Sequence, residues 1–174
     1  LNFHIRSEKI DDYKGIREVN MLAFHREDEA KLVEAIRESE YFIPELSLVA
    51  VTDEHEIIGH ILFSEITLET DKGNLPTLAL APMAVKPQYQ RQGIGSRLVT
   101  EGLKVCKDLG YKHVFVLGHL DFYPRFGFIP AKTFGIESPF PVPDEVFMAL
   151  ELEHRSLDGL TGKIKYPKAF DTVS

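Results

Sequence analysis

The sequence has no tryptophan and one cysteine, Cys106, among 174 residues. A single cysteine excludes an internal disulfide. The seven histidines form no H-x-x-x-H or Cys/His grouping, so no metal site is expected. No apolar run approaches the ~20 residues that cross a bilayer as a helix. The opening LNFHIRSEKI carries charge by its sixth residue, unlike a signal peptide. A cytoplasmic location follows as an expectation. Positive charge is also scarce: 20 Lys and Arg stand against 27 Asp and Glu, a formal net charge of −7. That balance argues against nucleic-acid and anionic-membrane partners, which repel a net negative surface. Repeats, low-complexity tracts and linkers are likewise missing.

What is present suits one domain over 1–174: the length is near the usual domain size, and 44% of residues are hydrophobic. Phe3 and Ile5 alternate with polar neighbours, as in a short strand. Ile16, Val19, Met21 and Phe24 recur loosely at helical spacing over 11–25, and Leu32, Val33 and Ile36 mark a second helix that Pro44 ends. Three strand candidates follow, SLVAVT (47–52), EIIGHILFSEITL (56–68) and LPTLALAPMAV (75–85), separated by turn-forming stretches at 53–55 and 71–74. They read as an antiparallel meander. Pro82 lacks an N–H and suits a bulge. Ile94, Leu98, Val99, Val105, Cys106 and Leu109 form a helical stripe that Gly110 stops, and HVFVL (113–117) is a strand. This strand, loop, helix, strand order predicts a right-handed parallel crossover. EVFMALEL (145–152) is a last strand, and 156–174 reads as a partly ordered wrap. The class is α+β, with a mixed, mostly antiparallel sheet flanked by helices.

The stretch KPQYQRQGIGSRLV (86–99) opens the stripe-bearing helix. Its glycines, Gly93 and Gly95, let unpaired helix-start amides converge on one point, a seat for phosphate or pyrophosphate. Arg91 and Arg97 add positive charge. No Lys follows Gly95, which excludes a nucleoside-triphosphate P-loop, and Leu98 stands where a dinucleotide fingerprint needs a third glycine.

What fits is Gln-x-x-Gly-x-Gly at Gln90, Gly93 and Gly95, which resembles the acyl-CoA loop of the GNAT N-acetyltransferase superfamily. Downstream, GHLDFYPRFGF carries Tyr123 and Gly127-Phe128, similar to the tyrosine and Gly-Phe element of that superfamily. This string and the ending VFMALEL…GKIKYPKAF resemble its YhbS-type branch, over about residues 3–170. In place of the Asn that many relatives carry after the second parallel strand stands Leu117-Gly118-His119.

The resemblance implies a single acyl-CoA N-acyltransferase domain, with 156–174 as a C-terminal extension. Acetyl-CoA would be the cosubstrate. The backbone of Met83, Ala84 and Val85 would hold pantetheine, with the Val85 amide near the thioester oxygen. The pyrophosphate would lie on the amides of Gln90, Arg91, Gln92, Gly93, Ile94, Gly95 and Ser96, helped by the Gln90 and Arg91 side chains. Tyr123 would be the general acid for the departing thiolate.

The implied reaction is direct attack by a primary amine of a small molecule or protein in a ternary complex. A non-catalytic acyl-CoA sensor is the alternative. No base is evident: Glu65, Ser64 and His119 are each more often solvated or packed groups. The first helices and the loop between them, residues 24–46, with the tail, would shape the acceptor site; the acidic residues there read first as a solvated helix face, and a homodimer is allowed.

Overall fold

The computed structural model describes residues 1–173. Strand β1 (Phe3–Ser7) precedes helices α1 (Tyr13–Phe24) and α2 (Asp28–Arg37). Strands β2 (Ser47–Thr52), β3 (Ile57–Thr70) and β4 (Gly73–Val85) come next, then α3 (Ile94–Asp108) and β5 (His113–Leu117). The remaining strands are β6 (Ile129–Pro130), β7 (Ile136–Glu137), β8 (Phe147–Glu151) and β9 (Gly162–Lys165). They join one sheet in the order β1-β2-β3-β4-β5-β8-β6, with β9 on β3 and β7 on β9. The predicted meander is β2 to β4, β1 adds antiparallel to β2, and α3 provides the parallel crossover between β4 and β5.

Helices cover both faces because alternate strand residues point to opposite sides. On one face α1 and α2 bury Ile16, Val19, Leu32, Val33 and Ile36 against Val49, Val51 and Leu62. On the other, α3 lays Ile94, Leu98, Val99 and Cys106 over Leu48, Ala50, Ile61 and Phe63. Each large apolar side chain so buried contributes roughly 1.5–3 kcal/mol. Cys106 is the packed apolar residue its position suggested, and burial pushes its thiol up to about 12. The helix sits close: a Cβ on Gly102 would lie 2.4 Å from Cε1 of Phe63. No helix among the described residues is long and apolar enough to cross a membrane.

The tail departs from expectation. Residues 162–165 are a strand, β9, pairing antiparallel with Thr67–Thr70 of β3. Residues 168–172 form a 3-10 turn whose Phe170 packs under the sheet. GKIK is too short for alternation to register, and its partner lies far away in sequence. The last long strand also begins later than expected, at Phe147, because Asp144–Val146 closes a 3-10 turn.

Candidate active site

Strands β4 and β5 pair only at Leu78–Val114 and Ala79–Phe115. Beyond those positions β4 stays with β3 as far as Val85, opposite Gly59, and β5 stays with β8 as far as Leu117, opposite Phe147. The two strands therefore diverge, and a gap opens between their C-terminal ends. A bulge accompanies the divergence. Ala81 and Pro82 together face the single residue Leu62, so β4 carries one extra residue and bends. Pro82 has no N–H to lose at that point.

The bulge resets which amides face the gap. Lys86 N donates to Ile58 O at 2.9 Å. Ladder bonds alternate along an antiparallel strand, so Ala84 also turns its N–H toward β3. Met83 and Val85 therefore turn theirs toward the gap. Of the three strand residues singled out from sequence, Met83 and Val85 thus face the gap, whereas Ala84 spends its backbone on β3.

The loop after β4 is bound down at its start. Lys86 Nζ lies 2.9 Å from Glu56 Oε2, and Tyr89 Oη donates to Glu56 Oε1 at 2.9 Å. These two bonds hold the Glu56 carboxyl below its usual range. Gln90 Nε2 donates to Val85 O at 3.0 Å. The Gln90 side chain thus closes the loop onto β4 instead of reaching outward as expected. Arg91 has φ 64° and is exposed, and Gly93 has φ 84°, the left-handed region. With Gly93 as N-cap, the amides of Ile94, Gly95 and Ser96 have no partner among the described residues. A Cβ on Gly95 would meet Met83 Cε at 3.4 Å, so this bare turn lies beside the strand end. Arg97 is directed elsewhere, to Glu101 at 3.2 Å and over the Phe3 ring.

Tyr123 opens a 3-10 turn whose backbone is tied to the carbonyl of exposed His119. Its ring is buried, edge-on to Phe122 and Phe128, and lies against Gly118, where a Cβ would be 2.4 Å from Cε2. Position 118 therefore has no room for a side chain, because the tyrosine ring occupies that space. Among the described residues, the sealed side-chain atoms without partners are Asn20 Oδ1 and Ser64 Oγ. The Tyr123 hydroxyl is not one of them and has no hydrogen-bond partner among the described residues, so it keeps some exposure. Burial pushes its pKa up to about 12.

The candidate bases separate. Glu65 pairs with Leu78 and accepts from Tyr111 Oη at 3.2 Å. Seven residues of strand put it roughly 23 Å along β4 from Val85. Ser64 Oγ is sealed. His119 alone of the three shares the Tyr123 turn.

A polar chain unforeseen in sequence lies behind β4. His60 pairs with Ala84 and is fully buried. Asn20 Nδ2 donates to Ile16 O and stands 3.3 Å from His60 Nδ1, which must therefore accept. His60 Nε2 carries the proton and donates to Ser47 Oγ at 3.0 Å; Ser47 donates to Glu8, which Arg37 grips at 2.9 and 3.1 Å. Burial, with the Arg37 charge behind it, holds His60 down to about 3, so it stays neutral. Among the described residues no group of His, Cys, Asp and Glu gathers to hold a metal.

Comparison with known proteins agrees with this geometry. The profile of the Acetyltransferase (GNAT) family matches residues 13–128. The uncharacterized N-acetyltransferase YjhQ of Escherichia coli is 42% identical over 144 residues, covering 82% of this chain and 78% of YjhQ. Its counterpart YhbS is 34% identical over 167 residues, covering 96% and 98%. The crystal structure of E. coli YhbS in complex with CoA superposes with a TM-score of 0.90 at 33% identity, over 98% of this chain and 93% of that one. A Brucella melitensis GNAT acetyltransferase in complex with acetyl-CoA gives 0.79 at 30% identity, over 98% and 99%.

Proposed function

This chain belongs to the GNAT acetyltransferase family and is an N-acetyltransferase, and from that premise we propose that it moves an acetyl group from acetyl-CoA to a primary amine by direct attack in a ternary complex. The described chain, tail included, acts as one acyl-CoA N-acyltransferase domain. The observation that carries this reading is the parting of β4 from β5 beyond Ala79 and Phe115, with the bare α3 amides at the same end. The CoA and acetyl-CoA complexes of the two structural relatives support the choice of cosubstrate.

In this reading the gap-facing backbone of Met83 and Val85 holds pantetheine as an added strand would be held. The Val85 N–H donates to the thioester oxygen as negative charge develops on it. The amides from Arg91 to Ser96 take the pyrophosphate; the Gln90 N–H, included in the expectation, donates to Pro87 O at 3.3 Å. The amine nitrogen bonds to the acetyl carbon, the C–S bond breaks, and the ammonium proton is lost as the thiolate gains one. Tyr123 hydrogen-bonds the departing sulfur. A phenol near 12 cannot simply hand its proton to a thiolate of ordinary basicity: full transfer is uphill by roughly 4–5 kcal/mol. The tyrosine therefore steadies the sulfur, and its hydroxyl passes a proton on only as it receives the one the amine gives up.

The test is thermal stabilisation by acetyl-CoA, ATP and NAD, followed by thiol release over a panel of amines. Stabilisation by acetyl-CoA alone, with amine-dependent thiol release, is expected. Stabilisation without release on any amine favours the sensor reading, and stabilisation by ATP or NAD instead overturns acyl-CoA binding.

A further inference from the structure

The end of the molecule away from the gap carries a cavity of its own. It holds about 360 Å³ and is lined by Leu75, Pro76, Leu109, Tyr111, His113 and Ser156 among others. That volume lies in the range of small-molecule sites. Leu75 and Pro76 come from the start of β4, Leu109 and Tyr111 from the turn after α3, and His113 from the start of β5. The fifteen residues of α3, roughly 22 Å of helix, separate this end from the glycine turn.

The walls are apolar and open: Leu75 and Leu109 are 37% and 42% exposed. His113, by contrast, is only 4% exposed. Its ring is held on two sides. Nδ1 stands 2.6 Å from Thr77 Oγ1, and Phe115 meets the ring edge-on with centroids 6.2 Å apart. Thr77 Oγ1 also donates to His113 O at 3.2 Å. A hydroxyl has one hydrogen, so both bonds form together only when Nδ1 carries the ring proton and donates to Oγ1. Nε2 is then a bare acceptor. It has no hydrogen-bond partner among the described residues and is not one of the sealed atoms. It therefore keeps contact with open space, and the space that His113 borders is this cavity.

The nearby donors are spent. Ser156 Oγ gives its hydrogen to Lys112 O at 3.0 Å, and Tyr111 Oη donates to Glu65. Lys112 Nζ stands 3.8 Å from Glu153. Among the described residues no carboxylate lines the cavity. Burial, with the Lys112 charge behind it, holds His113 down to about 4, so the ring is neutral. A cation here would lose hydration without meeting a counter-charge. A neutral donor on an apolar ring suits the site: its O–H or N–H satisfies the unpaired acceptor, and its ring covers the leucines.

We propose that this cavity is a second ligand site, which takes small neutral aromatic molecules bearing one O–H or N–H donor, of the phenol and indole class. The donor meets His113 Nε2, and the ring lies against Leu75 and Leu109. The site is independent of the acetyl-transfer reading.

The test is NMR titration of the isotope-labelled full chain with phenol, indole and anisole, read on the backbone amides and the His113 ring nitrogens, with and without acetyl-CoA. Phenol and indole are expected to shift the 109–113 amides and Nε2, with a Kd on the order of 1 mM for ligands of so few atoms. Anisole has the ring of phenol but no donor, and binds roughly three- to tenfold more weakly. Leu109→Ala, at a half-exposed wall position, weakens all three about threefold. Acetyl-CoA leaves the shifts in place. No shift at 109–113, shifts centred on the gap instead, or indifference to Leu109→Ala overturns the site. Anisole binding as tightly as phenol, with Nε2 unmoved, overturns the hydrogen bond that defines it. Loss of the shifts on adding acetyl-CoA overturns a site separate from the gap.

Discussion

Gln90 Nε2 donates to the carbonyl oxygen of Val85 at 3.0 Å, joining the first glutamine of the glycine loop to the last residue of β4. The bond spans the place where strand becomes loop. It occupies the outward-facing carbonyl of Val85 and leaves the Val85 N–H free toward the gap. Loop and strand are thus one positioned unit, and Glu56 secures the same unit from the β3 side through Lys86 and Tyr89.

Removing the Glu56 charge should loosen this unit without touching the reacting groups. Glu56→Gln is expected to raise the acetyl-CoA Kd roughly three- to tenfold, as for a partly exposed pair, and to leave kcat within about twofold. Isothermal titration alongside steady-state kinetics checks the split.

Tyr123→Phe keeps the buried ring and removes the unpaired hydroxyl. Acetyl-CoA affinity should stay near wild type while kcat falls on the order of 10²-fold, the lower range for proton-transfer catalysis. Lost CoA binding with intact turnover would contradict the assignment.

Gly118→Ala tests the same ring from beneath. The new Cβ would fall 2.4 Å from Cε2 of Tyr123, so the ring must shift. Destabilisation of about 1–3 kcal/mol is expected, together with lost turnover. Urea unfolding and thiol release measure the two effects separately.

Two buried histidines predict acid sensitivity. Burial first, and a neighbouring positive charge second, holds His60 down to about 3 and His113 down to about 4. Both pKa values are depressed on folding, so the unfolded chain takes protons below about 6.5 that the native chain refuses. Stability is therefore full above about pH 6.5 and falls with pH toward 4 and 3. Near pH 5 each histidine should cost about 2 kcal/mol relative to pH 7. Urea unfolding against pH should show this slope, flattened in His60→Gln and His113→Gln.

Much of the strand and helix pattern was legible because it is local. Ser47–Thr52 and His113–Leu117 appear with the bounds their apolar runs suggested. The extra residue at Ala81-Pro82 could be anticipated from a proline without an N–H. Short strands such as β7 and β9, and the Glu8–Ser47–His60–Asn20 chain, could not. Their signal is pairing between segments far apart in sequence, which no periodicity records.

From the sequence alone came the α+β order, the glycine turn at the α3 start and the tyrosine after β5, because each is written in neighbouring residues. Tertiary structure decided that β4 and β5 part above Ala79, that Gln90 turns inward to Val85, and that Phe140, Tyr166 and Phe170 meet ring on ring. Those depend on where the backbone bends and on which distant side chains then share one space, and both are set by packing of the whole chain.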